Sequence, residues 1–130
     1  MTAPWDQQTA LAAILTDAGL PTSAEVPARF TPPARYVLAS GPWLAGGQKY
    51  GSWRARFRVV CVTATGTNAR QMDELGGMVR AVVLALRGTR FTVEAEAVDE
   101  PSEIATGSGV SLGAVINVSV ALSRAEFEEE

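Results

Sequence analysis

The sequence predicts an α+β fold: a mixed, mainly antiparallel β-sheet of about four strands, with one long amphipathic helix packed on it and a short N-terminal helix. Three observations point there. Residues 53–65 alternate between two faces, with Trp53, Ala55, Phe57, Val59, Cys61 and Thr63 on one side and Arg54, Arg56, Arg58, Val60, Val62 and Ala64 on the other, the period-2 signature of a strand. Residues 68–86 place Met72, Leu75, Val79, Val82 and Leu86 at steps of three and four, which draws one apolar stripe along an α-helix. Two further alternating stretches follow that helix, and a helix with one apolar stripe needs a sheet to lie on.

Taken in order, residues 2–18 read as a short helix. Pro4 suits a first turn with Thr2 or Ala3 as cap, Leu11, Ile14, Leu15 and Ala18 form the apolar side, and Gly19 ends it. Residues 20–35 contain Pro21, Pro27, Pro32 and Pro33. Each proline fixes φ and removes an amide donor, so this reads as an extended arm laid along a surface of this domain or of another copy. A short strand is expected over 35–40. A glycine-rich hairpin loop follows over 41–51, presenting Trp43, Lys49 and Tyr50 as candidate recognition residues.

The long central strand ends at Gly66-Thr67-Asn68, with Asn68 as the N-cap of the main helix. Asp73 and Glu74 sit near the positive end of that helix and Arg87 near its negative end, and Gly88 is placed to stop it. Residues 90–98 form a third strand, with Phe91, Val93, Ala95 and Ala97 inward. Residues 99–113 read as a polar loop, and 99–111 is a second candidate contact region. Residues 114–123 form the last strand, and 124–130 an acidic tail.

The sheet faces carry further expectations. Arg54, Arg56 and Arg58 form a basic ladder on the non-core face, either paired with Glu94 and Glu96 or set against a partner. At Val60 and Val62 the central strand becomes apolar on both faces, which calls for cover from the N-terminal helix or another subunit. The outer face of the last strand, with Val115, Asn117, Ser119, Ala121 and Ser123, is small and uncharged, a flat seat for another protein.

Length and composition fit this reading. A chain of 130 residues is one domain by size, 1–130. Its net charge of −3 argues against a dedicated nucleic-acid binder, which needs a basic surface. The N-terminus lacks a basic region followed by an apolar run, so no signal peptide is expected, and no apolar stretch approaches the ~20 residues that span a bilayer.

Catalytic chemistry finds little foothold in the residues. With no histidine, the usual general base, the Ser/His triad and the commonest metal ligand are missing. One cysteine, Cys61, builds neither a disulfide nor a zinc cage, and its place on the apolar face reads as a small buried hydrophobe. The 107–113 glycine run is followed by a strand, so it offers no helix N-terminus to a pyrophosphate. The 46–49 run lacks the Ser/Thr of a phosphate loop. Asn117-Val-Ser119 matches a glycosylation triplet but sits mid-strand. No catalytic residue, cofactor or metal is expected.

The element order, together with Pro32-Pro33-Ala34-Arg35-Tyr36-Val37-Leu38, the strand Arg56-Phe57-Arg58-Val59-Val60-Cys61-Val62 and the Asn68 to Leu86 helix, resembles the tail-terminator proteins of long-tailed, non-contractile bacteriophages. The resemblance covers nearly the whole chain and is one of pattern and length. It implies an α+β subunit that assembles as a hexameric ring, caps the tail tube, ends its polymerisation and meets the neck of the filled head. The implied partners are copies of itself, the tail-tube protein and a neck connector, with DNA passing through the lumen. The implied location is the tail–neck junction, after assembly in the host cytoplasm. Six copies at −3 each would carry −18, which suits a lumen that does not hold DNA. The basic ladder would then face a subunit boundary or Glu94 and Glu96. A phage neck or head-completion connector and a small cytosolic ligand-binding α+β domain are the alternative readings.

Overall fold

The computed structural model describes residues 4–24, 34–46, 53–64, 68–98, 102–106 and 109–122. In chain order the elements are α1 (Pro4–Asp17), β1 (Ala34–Gly46), β2 (Trp53–Val62), α2 (Asn68–Leu86), β3 (Phe91–Val98), β4 (Ser102–Thr106) and β5 (Gly109–Leu122). The class is α+β. The sheet runs β1-β2-β5-β3 with β4 also on β5, and every strand pair is antiparallel. A single parallel bridge, Ser23 to Tyr36, lies outside the strands.

Both helices pack on one face of this sheet. Leu11 and Leu15 of α1 and Leu75, Val82 and Leu86 of α2 share one buried cluster with Val37, Phe57, Val59, Ile116, Val118 and Val120. Burying those side chains fully is worth roughly 1.5–3 kcal/mol each. The buried line on α2 is Gln71, Leu75, Met78, Val82 and Leu86. Met72, expected on that line, is instead 46% exposed. Met78 takes the inward place, because the sheet meets the helix one position round from the stripe that hydrophobicity alone suggests. Ala18, expected on the apolar side of the first helix, lies just past the end of α1 and is exposed, while Gln7 and Ala12 are buried.

Helix ends follow local chemistry. Gly19 has φ +87°, and the amide of Leu20 donates to Leu15 O at 2.9 Å while that of Gly19 donates to Thr16 O at 3.0 Å. These are the two bonds of a Schellman cap, closed by a left-handed residue that glycine adopts without strain. Gly88, at φ +77°, ends α2. At its start, Glu74 and Gln71 clip the exit of β2: Ala64 N donates to Glu74 Oε1 at 2.7 Å, and Gln71 Nε2 donates to Ala64 O at 3.2 Å. The side chain of Asn68, the expected cap, lies outside those described.

Two expectations about strands are corrected. β1 does not stop at Ser40 but continues to Gly46, shifting register against β2 between Ala39 and Leu44. Five residues of β1 advance where β2 advances two. Gly41-Pro42 falls inside that shift, and proline, which cannot donate to a ladder, is tolerated at such an irregularity. Trp43 therefore lies on a strand rather than in a loop. The polar segment 99–113 is not one loop either: β4 pairs with the first part of β5, from Ser102 opposite Gly113 to Thr106 opposite Gly109. β3 pairs with the later part of the same edge. Thus β3 and β4 act as one interrupted strand and form a long hairpin with β5.

Candidate interaction surface

With both helices on one face, the other face of the sheet is the place to look for partner chemistry, and it divides into two ends. At the end where β2 begins, alternation sends Arg54, Arg56 and Arg58 outward from β2, and Thr92 and Glu94 outward from β3. The central strand β5 puts Ser119 opposite Arg56 and Asn117 opposite Arg58. Small side chains there let the arginines lie across β5. Arg54 donates from Nη1 to Ser119 Oγ at 2.7 Å. Arg56 reaches over to β3 and grips Glu94 with two bonds, Nε to Oε2 at 3.2 Å and Nη2 to Oε1 at 3.0 Å. The fork-to-carboxylate match makes this the directional kind of ion pair. Arg58 is exposed. Its charge pulls the Tyr36 hydroxyl pKa down, against the stronger upward push of desolvation.

The expected pairing of the ladder with Glu94 is thus present at Arg56, while the side chain of Glu96 lies outside those described. The flat seat on β5 needs correction. Ser119 is fully buried, because Arg54 and Arg56 cover it, and Asn117 is half-buried. What faces outward at this end is largely a lattice of arginine and glutamate, with Ala121 exposed beside Arg54.

The other end of the same face is closed. Val60 and Val62 are 7% and 0% exposed within the single chain. The expectation that they need cover from the N-terminal helix or another subunit is therefore corrected: α1 packs on the opposite face, and both are buried without a second copy. Val60 lies between Tyr36 of β1 and Val115 of β5, and Val62 between Ala34 and Gly113. Thr63 extends the ladder, its amide donating to Leu112 O at 2.8 Å while its hydroxyl accepts from Leu112 N at 3.0 Å. Ser111, next along β5, is fully buried and its hydroxyl has no hydrogen-bond partner among the described residues.

Side chains that sequence reasoning passed over fasten α1 to the edge of β1. Gln8 Nε2 donates to Ala24 O at 2.6 Å and to Val37 O at 3.0 Å. Ser23 exchanges bonds with Arg35 O and Val37 N at 3.0 and 2.9 Å. Beside them an open hollow of about 390 Å³ is lined by Thr16, Pro21, Thr22, Ser23, Ala34 and Arg35. The Nε of Arg35 is buried without a hydrogen-bond partner among the described residues. No motif marks these residues; a polar side chain at a strand edge is legible only once the edge is known.

Cys61 is buried, and desolvation pushes its thiol up to about 11 against the pull of Arg35. It is a protonated core residue at neutral pH and not a nucleophile. Among the described residues no group of three or more His, Cys, Asp or Glu is placed to hold a metal ion, and no helix is long and apolar enough to cross a membrane. Lys49, Tyr50 and residues 99–101 lie outside the described residues, as does the side chain of Trp43. A scan against protein-family models gives no match, and a search among curated proteins gives none either.

Proposed function

We propose that this chain is a single-domain structural subunit, without catalytic turnover, that forms a hexameric ring on the end of a bacteriophage tail tube. In this reading the ring ends tube growth and joins the tail to the neck of the head, and the protein resides at the tail–neck junction of the virion. The observation that carries the reading is a pair of unlike sheet edges. β1 and β3 stand at opposite ends of the strand order. Among the described residues, β1 is engaged by Ser23 and Gln8 around Arg35–Val37, and β3 pairs with β5 alone. A head-to-tail ring needs two different, complementary surfaces on one subunit, and two different strand edges supply them.

The polar end of the helix-free face supports the same reading. Its arginines are held by Ser119 and Glu94, while exposed Arg58 remains available to a neighbour. The resemblance described above rests on the element order read from the sequence and points to the same class of subunit. Electron microscopy with light scattering on the purified chain tests the proposal. Rings with a mass six times that of the chain, alone or on added tube ends, are the expected result. A chain that stays monomeric in the presence of tube subunits would sink it. Rings that bind a neck connector but not tube ends would reassign it to the neck.

A further inference from the structure

The outward face of α2 carries features that the single chain does not explain. Among the described residues, the exposed large hydrophobic side chains are Met72 and Leu84, 46% and 39% exposed, and both are on this helix. Between them lie Gly76 and Gly77. A Cβ at either position would meet nothing within 4 Å, and neither takes a positive φ. Glycine is the poorest helix former after proline, and nothing among the described residues accounts for two in succession.

The charges on the same face show a pattern centred on those glycines. Asp73 and Arg80 are exposed and have no ion-pair partner among the described residues. Seven residues apart, roughly 10 Å along the axis, they cannot reach each other. Position i+4 from Asp73 is Gly77, and position i−4 from Arg80 is Gly76, so at these two positions a hydrogen atom stands where a partner could; Arg70, exposed, stands three residues before Asp73. The midpoint between Gly76 and Gly77 is also the midpoint between Asp73 and Arg80, and between Ala69 and Leu84.

We propose that α2 docks antiparallel on α2 of a second copy of this chain, about a two-fold axis between Gly76 and Gly77. The charge order selects the occupant and its direction. Asp73 before the centre and Arg80 after it are complementary between copies only when one copy is reversed, since parallel docking would set Asp73 against Asp73. In the antiparallel register Asp73 of each copy meets Arg80 of the other, and Leu84 of each lies over the small Ala69. The glycines at the crossing let the two backbones approach closely. The contact is isologous and uses the face turned away from the sheet, so it is independent of ring contacts through sheet edges.

Cysteine cross-linking of the full chain tests it. Gly77→Cys places a thiol beside the axis, where it meets its own copy, while native Cys61 is fully buried. Under mild oxidation this variant should form a covalent dimer at least about tenfold faster than Glu103→Cys, a control at an exposed position on β4. Adding Asp73→Arg or Arg80→Asp should slow cross-linking about tenfold, because each places like charges opposite one another twice per contact. Combining both reversals re-forms the pair with signs exchanged and should restore the rate to within about threefold. Thermal melts verify that these surface variants remain folded. Cross-linking no faster than the control, unchanged by either reversal, or not restored by the pair would overturn the proposal.

Discussion

The two halves of β2 belong to one strand in one sheet, yet they live in different surroundings. From Trp53 to Arg58 burial alternates: Ala55 and Phe57 are fully buried, Arg54 and Arg56 are half-buried, and Arg58 is exposed. From Val59 to Val62 every residue is buried. The helix side is covered along the whole strand by α1 and α2, so the difference arises entirely on the other side. Where that side is open, the strand tolerates charge and uses it to grip Ser119 and Glu94. Where it is closed, β2 carries the apolar Val60 and Val62. Surface available to a partner therefore ends where cover begins, at the point where the strand changes from arginine to valine on that face.

The largest effect expected from this contrast is a charge placed in each half. Val62→Asp should cost about 3–5 kcal/mol or prevent folding, because a carboxylate with no partner would be sealed from water. Arg58→Asp should change stability by within about 0.5 kcal/mol. Urea denaturation of both variants measures the gap, and similar values would remove the distinction between the halves.

A smaller effect sharpens the account of the closed half through Cys61. Its thiol is held up to about 11 from the usual 9.0, so between those values the folded chain keeps a proton that the unfolded chain has lost. The stability this represents is present below pH 9 and is lost as pH rises through 11, roughly 2–3 kcal/mol in all. Tyr36, also raised by burial, adds a loss of the same sign. Unfolding measured from pH 8 to 11 should show this decline, and Cys61→Ala should flatten it to the Tyr36 part. An equal slope in the variant would mean that the thiol ionises as freely folded as unfolded.

The smallest effect concerns the open half. A double-mutant cycle of Arg56→Ala and Glu94→Ala should give a coupling of about 0.5–1 kcal/mol that shrinks with added salt, as a pair about a quarter exposed on each side remains screened by water. A coupling several times larger would show that this end is as dry as the other, and the arginine lattice would then be core rather than surface.

Much of the local architecture was legible in residue spacing. Period-2 alternation over 53–62 and the run from Asn68 to Leu86 marked β2 and α2, and Gly19 and Gly88 marked the ends of both helices. The opposition of Arg56 and Glu94 was also readable, since like parity on strands that flank β5 puts both on one face. Less legible was the exact burying line of α2. Met72 and Met78 are equal in hydrophobicity, and only the position of the sheet selects Met78.

By itself, then, the sequence determined what local backbone geometry controls: which segments are helix or strand, where glycine stops a helix, and which side chains share a face. The tertiary structure alone decided what depends on distant partners. β1 continues past Pro42 because β2 still offers it a ladder beyond the shifted register, and the polar 102–106 segment becomes a strand because β5 extends to meet it. Val60 and Val62 are sealed within one molecule for the same physical reason. Periodicity is a property of neighbours along the chain, whereas strand pairing and cover are properties of segments brought together from far apart in it.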